Sequence, residues 1–152
     1  MFTFEQTQRV PAPIEQVWDF ISSPANLKNI TPPYMGFDVI TPNLPKKMYE
    51  GMIIKYNVSP LAGIKMEWVT EITHIKELEF FVDMQQKGPY KFWHHQHHLK
   101  VIDGGVLMLD IVNYEPPFYF IGQIANKIII NKKLNEIFDF RKNKMEEIFG
   151  RF

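Results

Sequence analysis

The end of the chain constrains the fold most. From about Tyr119 to Phe149 no proline interrupts the sequence. Ile121, Ile124, Ala125, Ile128, Leu134, Ile137, Phe138, Met145, Ile148 and Phe149 recur at spacings of three and four, which is the apolar stripe of a helix. Lys127, Lys132, Lys133, Asn135, Asp139 and Lys142 fall on the other face. About 30 residues at about 1.5 Å each give a rod of about 45 Å, long enough to be the spine of a small domain. A rod with one apolar stripe needs an apolar surface to lie against, and the rest of the chain must supply it.

The rest of the chain reads mainly as strands. Phe2 to Val10 alternates and ends at Pro11-Ala-Pro13, since proline cannot donate to a ladder. Ile14 to Ile21 predicts a short helix, with Pro13 at its start and Val17, Trp18 and Ile21 on one face. A second short helix is expected from Ser23 to about Asn29, capped by Ser23 and ended by Thr31-Pro32-Pro33. Strand signals follow at Phe37–Thr41, Gly51–Val58, Lys65–Ile75, Leu78–Gln85, Tyr90–Ile102 and Val106–Tyr114. Asp103-Gly104-Gly105 marks a tight turn. With no repeat, linker or low-complexity segment, residues 1–152 read as a single α+β domain. A curved seven-stranded antiparallel sheet must bury its concave face, and the long C-terminal helix is the element able to cover it.

Composition narrows the function. Lys plus Arg equals Asp plus Glu, so the chain lacks the positive excess of a protein that neutralises many phosphates, and no nucleic-acid partner is expected. With no cysteine, disulfides, thiolate metal sites and a cysteine nucleophile are excluded. No basic segment followed by an apolar run marks a signal peptide, and no apolar stretch reaches the roughly 18 residues of a membrane span. A cytoplasmic location is the expectation. Thirteen Phe in a 14% aromatic chain call for a large core, a lined pocket, or both.

The candidate chemistry is concentrated between Asp83 and Leu99, which hold four of the five histidines. The stretch reads as a hairpin turning at Lys87-Gly88-Pro89. Asp83, Gln85, Trp93, His95, His97 and Leu99 then share one face, with His94 and His98 on the other. The opposite face carries Phe80, Val82 and Met84, and a one-residue register change would send Asp83 and the His pair to solvent. Trp93 and Leu99 favour turning the His face inward. Asp83 and Gln85 are placed to meet His95 and Trp93 across the hairpin, where an Asp–His contact would raise the histidine pKa.

Several strings in this order resemble the START/Bet v1-like (SRPBCC) superfamily, the helix-grip fold. Val10-Pro-Ala-Pro-Ile-Glu-Gln-Val-Trp-Asp-Phe-Ile21 is similar to its first strand and helix, and Ser23 to Pro33 to its second helix. Asp83-x-Gln85-x-x-Gly88-Pro89-Tyr90-x-x-Trp93-x-His95-x-His97, then Gly105 and Asp110-x-Val112-x-Tyr114-x-x-Pro117, resembles a bacterial subgroup labelled cyclase/dehydrase-like. The resemblance spans essentially the whole chain and implies a curved sheet gripping the C-terminal helix, with a hollow between them. The superfamily includes lipid carriers, ligand binders, polyketide cyclases and chaperone activators, so the likeness fixes no single activity. Where such proteins often carry a glycine-rich segment, this chain has Pro117-Phe-Tyr-Phe-Ile-Gly122, whose rings would narrow the cavity entrance.

Three functional readings follow. In the first, the chain binds a hydrophobic small molecule, such as a lipid, an isoprenoid or a polyketide-like aromatic, without catalysis. Tyr56, Trp68, Asp83, Gln85, Trp93, His95, His97 and Tyr114 would line the site, and Ile124 and Ile128 would close it from the helix. In the second, His95 or His97 acts as general base of a cyclase or dehydratase, with Tyr56, Tyr114 or Asp83 polarising the substrate. In the third, the fold is a protein-interaction module, and an edge strand supports a homodimer. His95-x-His97 with Asp83 or Asp110 could also bind a metal, but no third histidine has suitable geometry; no metal and no cofactor are expected.

Overall fold

The computed structural model describes residues 1–59, 63–116 and 123–152, without the side chains of 123–127. Strand β1 (Phe2–Val10) leads into helix α1 (Ile14–Ile21). Single 3-10 turns follow at Pro24–Asn26 and Pro33–Met35. Then come β2 (Asp38–Val39), β3 (Ile53–Val58), β4 (Met66–Lys76), β5 (Phe80–Lys87), β6 (Phe92–Ile102), β7 (Gly105–Glu115) and helix α2 (Gln123–Phe149). The strands form one seven-stranded antiparallel sheet in the order β1-β7-β6-β5-β4-β3-β2. From β2 onward each strand pairs with the next in sequence. β1 instead closes onto β7, from Phe2 opposite Tyr114 to Val10 opposite Val106. The first two strands are therefore opposite edges, and α1 with the 3-10 turns carries the chain from one edge to the other.

Two expected elements shrink. The second short helix is a 3-10 turn of three residues, and the Ser23 side chain makes no cap hydrogen bond. The strand expected over Phe37–Thr41 is two residues long. Ile40 and Thr41 both direct their backbone N–H to the single carbonyl of Lys55, which breaks the ladder.

The sheet curves where β4 pairs irregularly with β5. Register shifts fall between Val69 and Thr70 and between Ile72 and His74. Each leaves an extra residue on one strand, which bends the sheet and increases its twist. On the concave face, Ile54, Ile72, Trp93, Leu99, Val112 and Tyr114 are buried. Over this face lies α2, 27 residues or about 40 Å long. It presents Ile130, Leu134, Phe138 and Met145 inward, all at most 4% exposed.

Contacts with β1 hold α2 in place. The rings of Phe4 and Phe138 lie 4.8 Å apart, Gln6 donates to Asp139, and Gln8 donates to the Lys142 carbonyl. At the other end of the concavity, α1 buries Val17, Trp18 and Ile21, with Trp18 edge-on to Phe81. The core thus has two parts, one around α1 and one around the middle of α2. No helix among the described residues is long and apolar enough to cross a membrane.

Candidate functional site

Between the two halves of the core lies a cavity of about 120 Å³. Its sheet wall includes Ile54, Tyr56, Val58, Trp68, Thr70 and Ile72 from β3 and β4. Phe81, Asp83, Trp93, His95 and His97 come from the β5–β6 hairpin. Tyr90 from the turn, Met35 and Phe37 near β2, and Leu134, Ile137, Phe138 and Arg141 from α2 complete most of the lining. Aromatic contacts make the wall stiff: Trp68 meets Trp93 edge-on at 5.4 Å, and Tyr90 lies 4.7 Å from Trp93.

The hairpin adopts the inward register. Trp93, His95, His97 and Leu99 are all buried, and the intervening residues are partly exposed. Pairing sets Asp83 opposite His95, Phe81 opposite His97, and His97 opposite Asp110 of β7. The two imidazoles are 3.7 Å apart between centroids, and Phe81 stacks on His97 at 4.0 Å.

Two carboxylates bracket these rings. Asp110 Oδ1 lies 2.9 Å from His95 Nε2 and 2.9 Å from His97 Nδ1. Asp83 Oδ2 lies 2.8 Å from His97 Nε2 and 3.4 Å from His95 Nδ1. Arg141 reaches Asp110 Oδ1 from α2 at 3.4 Å.

A buried cluster of this kind stays ionised only if its charges nearly cancel. Burial would raise the Asp110 carboxyl, but hydrogen bonds from His95 and His97, with the charges of His97 and Arg141, hold it well below its ordinary value. Burial opposes ionisation of Asp83 too, and the two histidines outweigh it, so its pKa is lowered. Burial and the neighbouring His97 push His95 down to about 4. His97 is also penalised by burial, yet its hydrogen bonds to both carboxylates raise it. Proton binding to the pair therefore favours His97 over His95. With His97 protonated, two carboxylates face one imidazolium and one guanidinium, and the charges of the network cancel.

The sequence candidates divide by position. Tyr56, Trp68, Asp83, Trp93, His95 and His97 stand on the cavity wall. Tyr56 shares a hydrogen bond with Thr70 at 3.0 Å, and burial raises its pKa. Others are placed elsewhere, and these are corrections. Gln85 braces the hairpin turn, donating from Nε2 to the Tyr90 carbonyl at 2.7 Å and accepting from the Tyr90 N–H at 3.3 Å. Tyr114 packs behind the wall against Phe2 and Tyr90.

Ile128 is 64% exposed, because it lies two residues, or about 200°, around the helix from the buried Ile130. The side chain of Ile124 and the segment 117–122, with its expected narrowing of the entrance, lie outside the described residues. In place of the two isoleucines, Leu134, Ile137, Phe138 and Arg141 close the cavity from α2. Arg141 was legible as a charge on the stripe of Leu134, Phe138 and Met145. Asp110 was legible only as a possible ligand across the sheet.

Asp83, His95 and His97 place one oxygen and two nitrogens within 4.8 Å of one another, a donor set suited to zinc or iron. The same nitrogens already meet carboxylates, and Arg141 adds a fixed positive charge, so a cation would have to displace the His97 proton.

The architecture is a Bet v 1-like helix-grip fold. Protein CV1439 from Chromobacterium violaceum superposes with a TM-score of 0.71 at 14% identity, covering 99% of each chain. Protein Ms6760 from Mycobacterium smegmatis has a TM-score of 0.69 at 17% identity, covering 96% of this chain and 89% of that one. Ara h 8.0201, a Bet v 1 allergen, has a TM-score of 0.62 at 14% identity, covering 96% and 98%. At these identities the likeness defines the fold alone. No protein-family model matches the chain, and no curated protein sequence matches it.

Proposed function

We propose that the chain binds a small hydrophobic molecule between the sheet and α2 and holds it without transforming it. The carrying observation is the cavity itself, a space of about 120 Å³ walled mostly by aromatic and aliphatic side chains, with Asp83, His95, His97 and Arg141 on part of it, where a core would ordinarily be filled. An apolar cavity of about 150 Å³ holds benzene, so a volume of about 120 Å³ limits the guest to about one compact ring and excludes an extended lipid chain. Of the lipid, isoprenoid and aromatic classes, a polyketide-like aromatic of small size is favoured.

The histidines support binding over acid–base catalysis. Every ring nitrogen of His95 and His97 stands 2.8–3.4 Å from a carboxylate oxygen. A general base needs a lone pair directed at its substrate. Three of the four nitrogens stand 2.8–2.9 Å from a carboxylate oxygen, as N–H donors do, so these contacts tie the rings into the cavity wall.

Titration with toluene, followed by tryptophan fluorescence and by NMR of the cavity methyl groups, tests the proposal. Saturable shifts at Ile54, Ile72 and Leu134 are expected, and they should vanish in Ile137→Trp, which fills the space. Shifts confined to residues outside the cavity, or unchanged in the filled variant, would refute it.

A further inference from the structure

Two hydrogen-bond donors of residues that line the cavity have no acceptor. Trp68 Nε1 and Arg141 Nε are both buried and make no hydrogen bond. Buried donors without partners are uncommon, because water's hydrogen bonds are lost and nothing replaces them. The third such atom among the described residues, Ser22 Oγ, belongs to a residue that does not line the cavity. Two of the three thus belong to residues that line the cavity.

Arg141 is also loosely held. Its Nη1 makes one long contact, 3.4 Å to Asp110 Oδ1. That oxygen already lies 2.9 Å from a nitrogen of each imidazole, and one carboxylate oxygen has only two lone pairs to offer. The other carboxylate on the wall, Asp83, has its Oδ2 engaged by His97 and His95. The guanidinium otherwise rests on the Phe138 ring, 4.9 Å from its centroid. An arginine in this state has a planar N–H edge suited to a carboxylate.

We infer that the ligand is a compact aromatic carboxylic acid, held as its carboxylate, whose oxygens accept from Arg141 Nε–H and Trp68 Nε1–H. This rests on the pocket reading above. The ring lies among Trp68, Tyr90, Trp93 and Phe138, where edge-on and offset contacts are available. The volume helps the assignment, since in so small a cavity a single ring keeps its substituent close to the wall. The carboxylate would lie beside the guanidinium, whose contact with Asp110 is long.

Calorimetric titration with benzoate, benzyl alcohol and toluene separates the headgroup from the pocket, with the Trp68 indole and Arg141 Nε–H signals followed by NMR. Benzoate should bind at least about tenfold more tightly than benzyl alcohol, as a charge-assisted hydrogen bond requires. It should also move both N–H signals downfield. Arg141→Met should bring benzoate to the level of benzyl alcohol. Should that variant fail to fold, Arg141→Lys, which keeps the charge and loses the Nε–H edge, should weaken benzoate severalfold.

Equal binding of benzoate and benzyl alcohol would overturn the headgroup assignment while toluene binding upholds the pocket. So would N–H signals that report water as their partner and do not respond to benzoate. Failure of toluene and benzoate alike would overturn the pocket reading itself.

Discussion

At the scale of single residues, the Asp83–His95–His97–Asp110–Arg141 network decides how the protein responds to pH. The folded-state pKa of His95 is lowered to about 4, whereas an unfolded histidine titrates near 6.5. Between those values the unfolded chain binds more protons, so stability from this residue rises with pH. His97 has a raised folded pKa, so its contribution is present below about 6.5 and is lost as pH climbs through the folded value. Asp83 and Asp110 have lowered pKa values. Their contribution is present above the unfolded value of about 3.9 and is lost as pH falls through the folded ones.

The cluster therefore gives a stability maximum near pH 6.5. Urea unfolding at pH 4.5, 6.5 and 8.5 should show the peak, and His97→Gln should remove the alkaline decline. A stability that climbs steadily to pH 8.5 in the wild-type protein would contradict the protonation pattern. Removing a carboxylate is more severe. Asp110→Asn leaves imidazolium and guanidinium without their shared anion and should cost about 3–5 kcal/mol, read from the urea midpoint.

At the scale of elements, α2 and β6 show what a sequence does and does not declare. The alternation in β6 was readable because one face is buried and the other solvated, so every second residue from Trp93 to Leu99 bears the same signature. Register followed from placing Trp93 and Leu99 inward. The phase of α2 was less readable. Ile128, Ile129 and Ile130 are consecutive, so the run suits any face. Contact with the sheet selects Ile130 and leaves Ile128 and Ile129 more than half exposed.

Arg141 went unread for a related reason: its charge suggests solvent, and only the partners across the sheet make its stripe position tenable. The carboxylate bracket was partly hidden too. Asp110 stands on a different strand from both histidines, and only the β6–β7 pairing brings it opposite His97. Two substitutions test the phase. Phe138→Ala should destabilise by about 3–5 kcal/mol, as loss of a buried ring does. Ile128→Gln should change stability by no more than about 0.5 kcal/mol. Comparable losses from both would mean that α2 is rotated about its axis.

At the scale of the whole molecule, the fold does one physical thing. A sheet bent by irregular pairing in β4 and β5 cannot press its entire concave face against a straight helix, and the gap between two core clusters is what remains. The order of strands and the terminal helix announced this arrangement. The cavity volume was not announced, because it depends on how far Trp68, Trp93, Phe81 and Phe138 fill the curve. It is small enough to restrict occupants to about one ring.

The central claim is that this gap is open, apolar and able to admit a small guest. A crystal of the protein pressurised with xenon tests it most directly, since xenon reports dry apolar space without needing a headgroup. The account predicts one well-occupied xenon site bordered by Ile54, Trp93, His97 and Phe138. Density for ordered water alone at that position, or none at all, would contradict it.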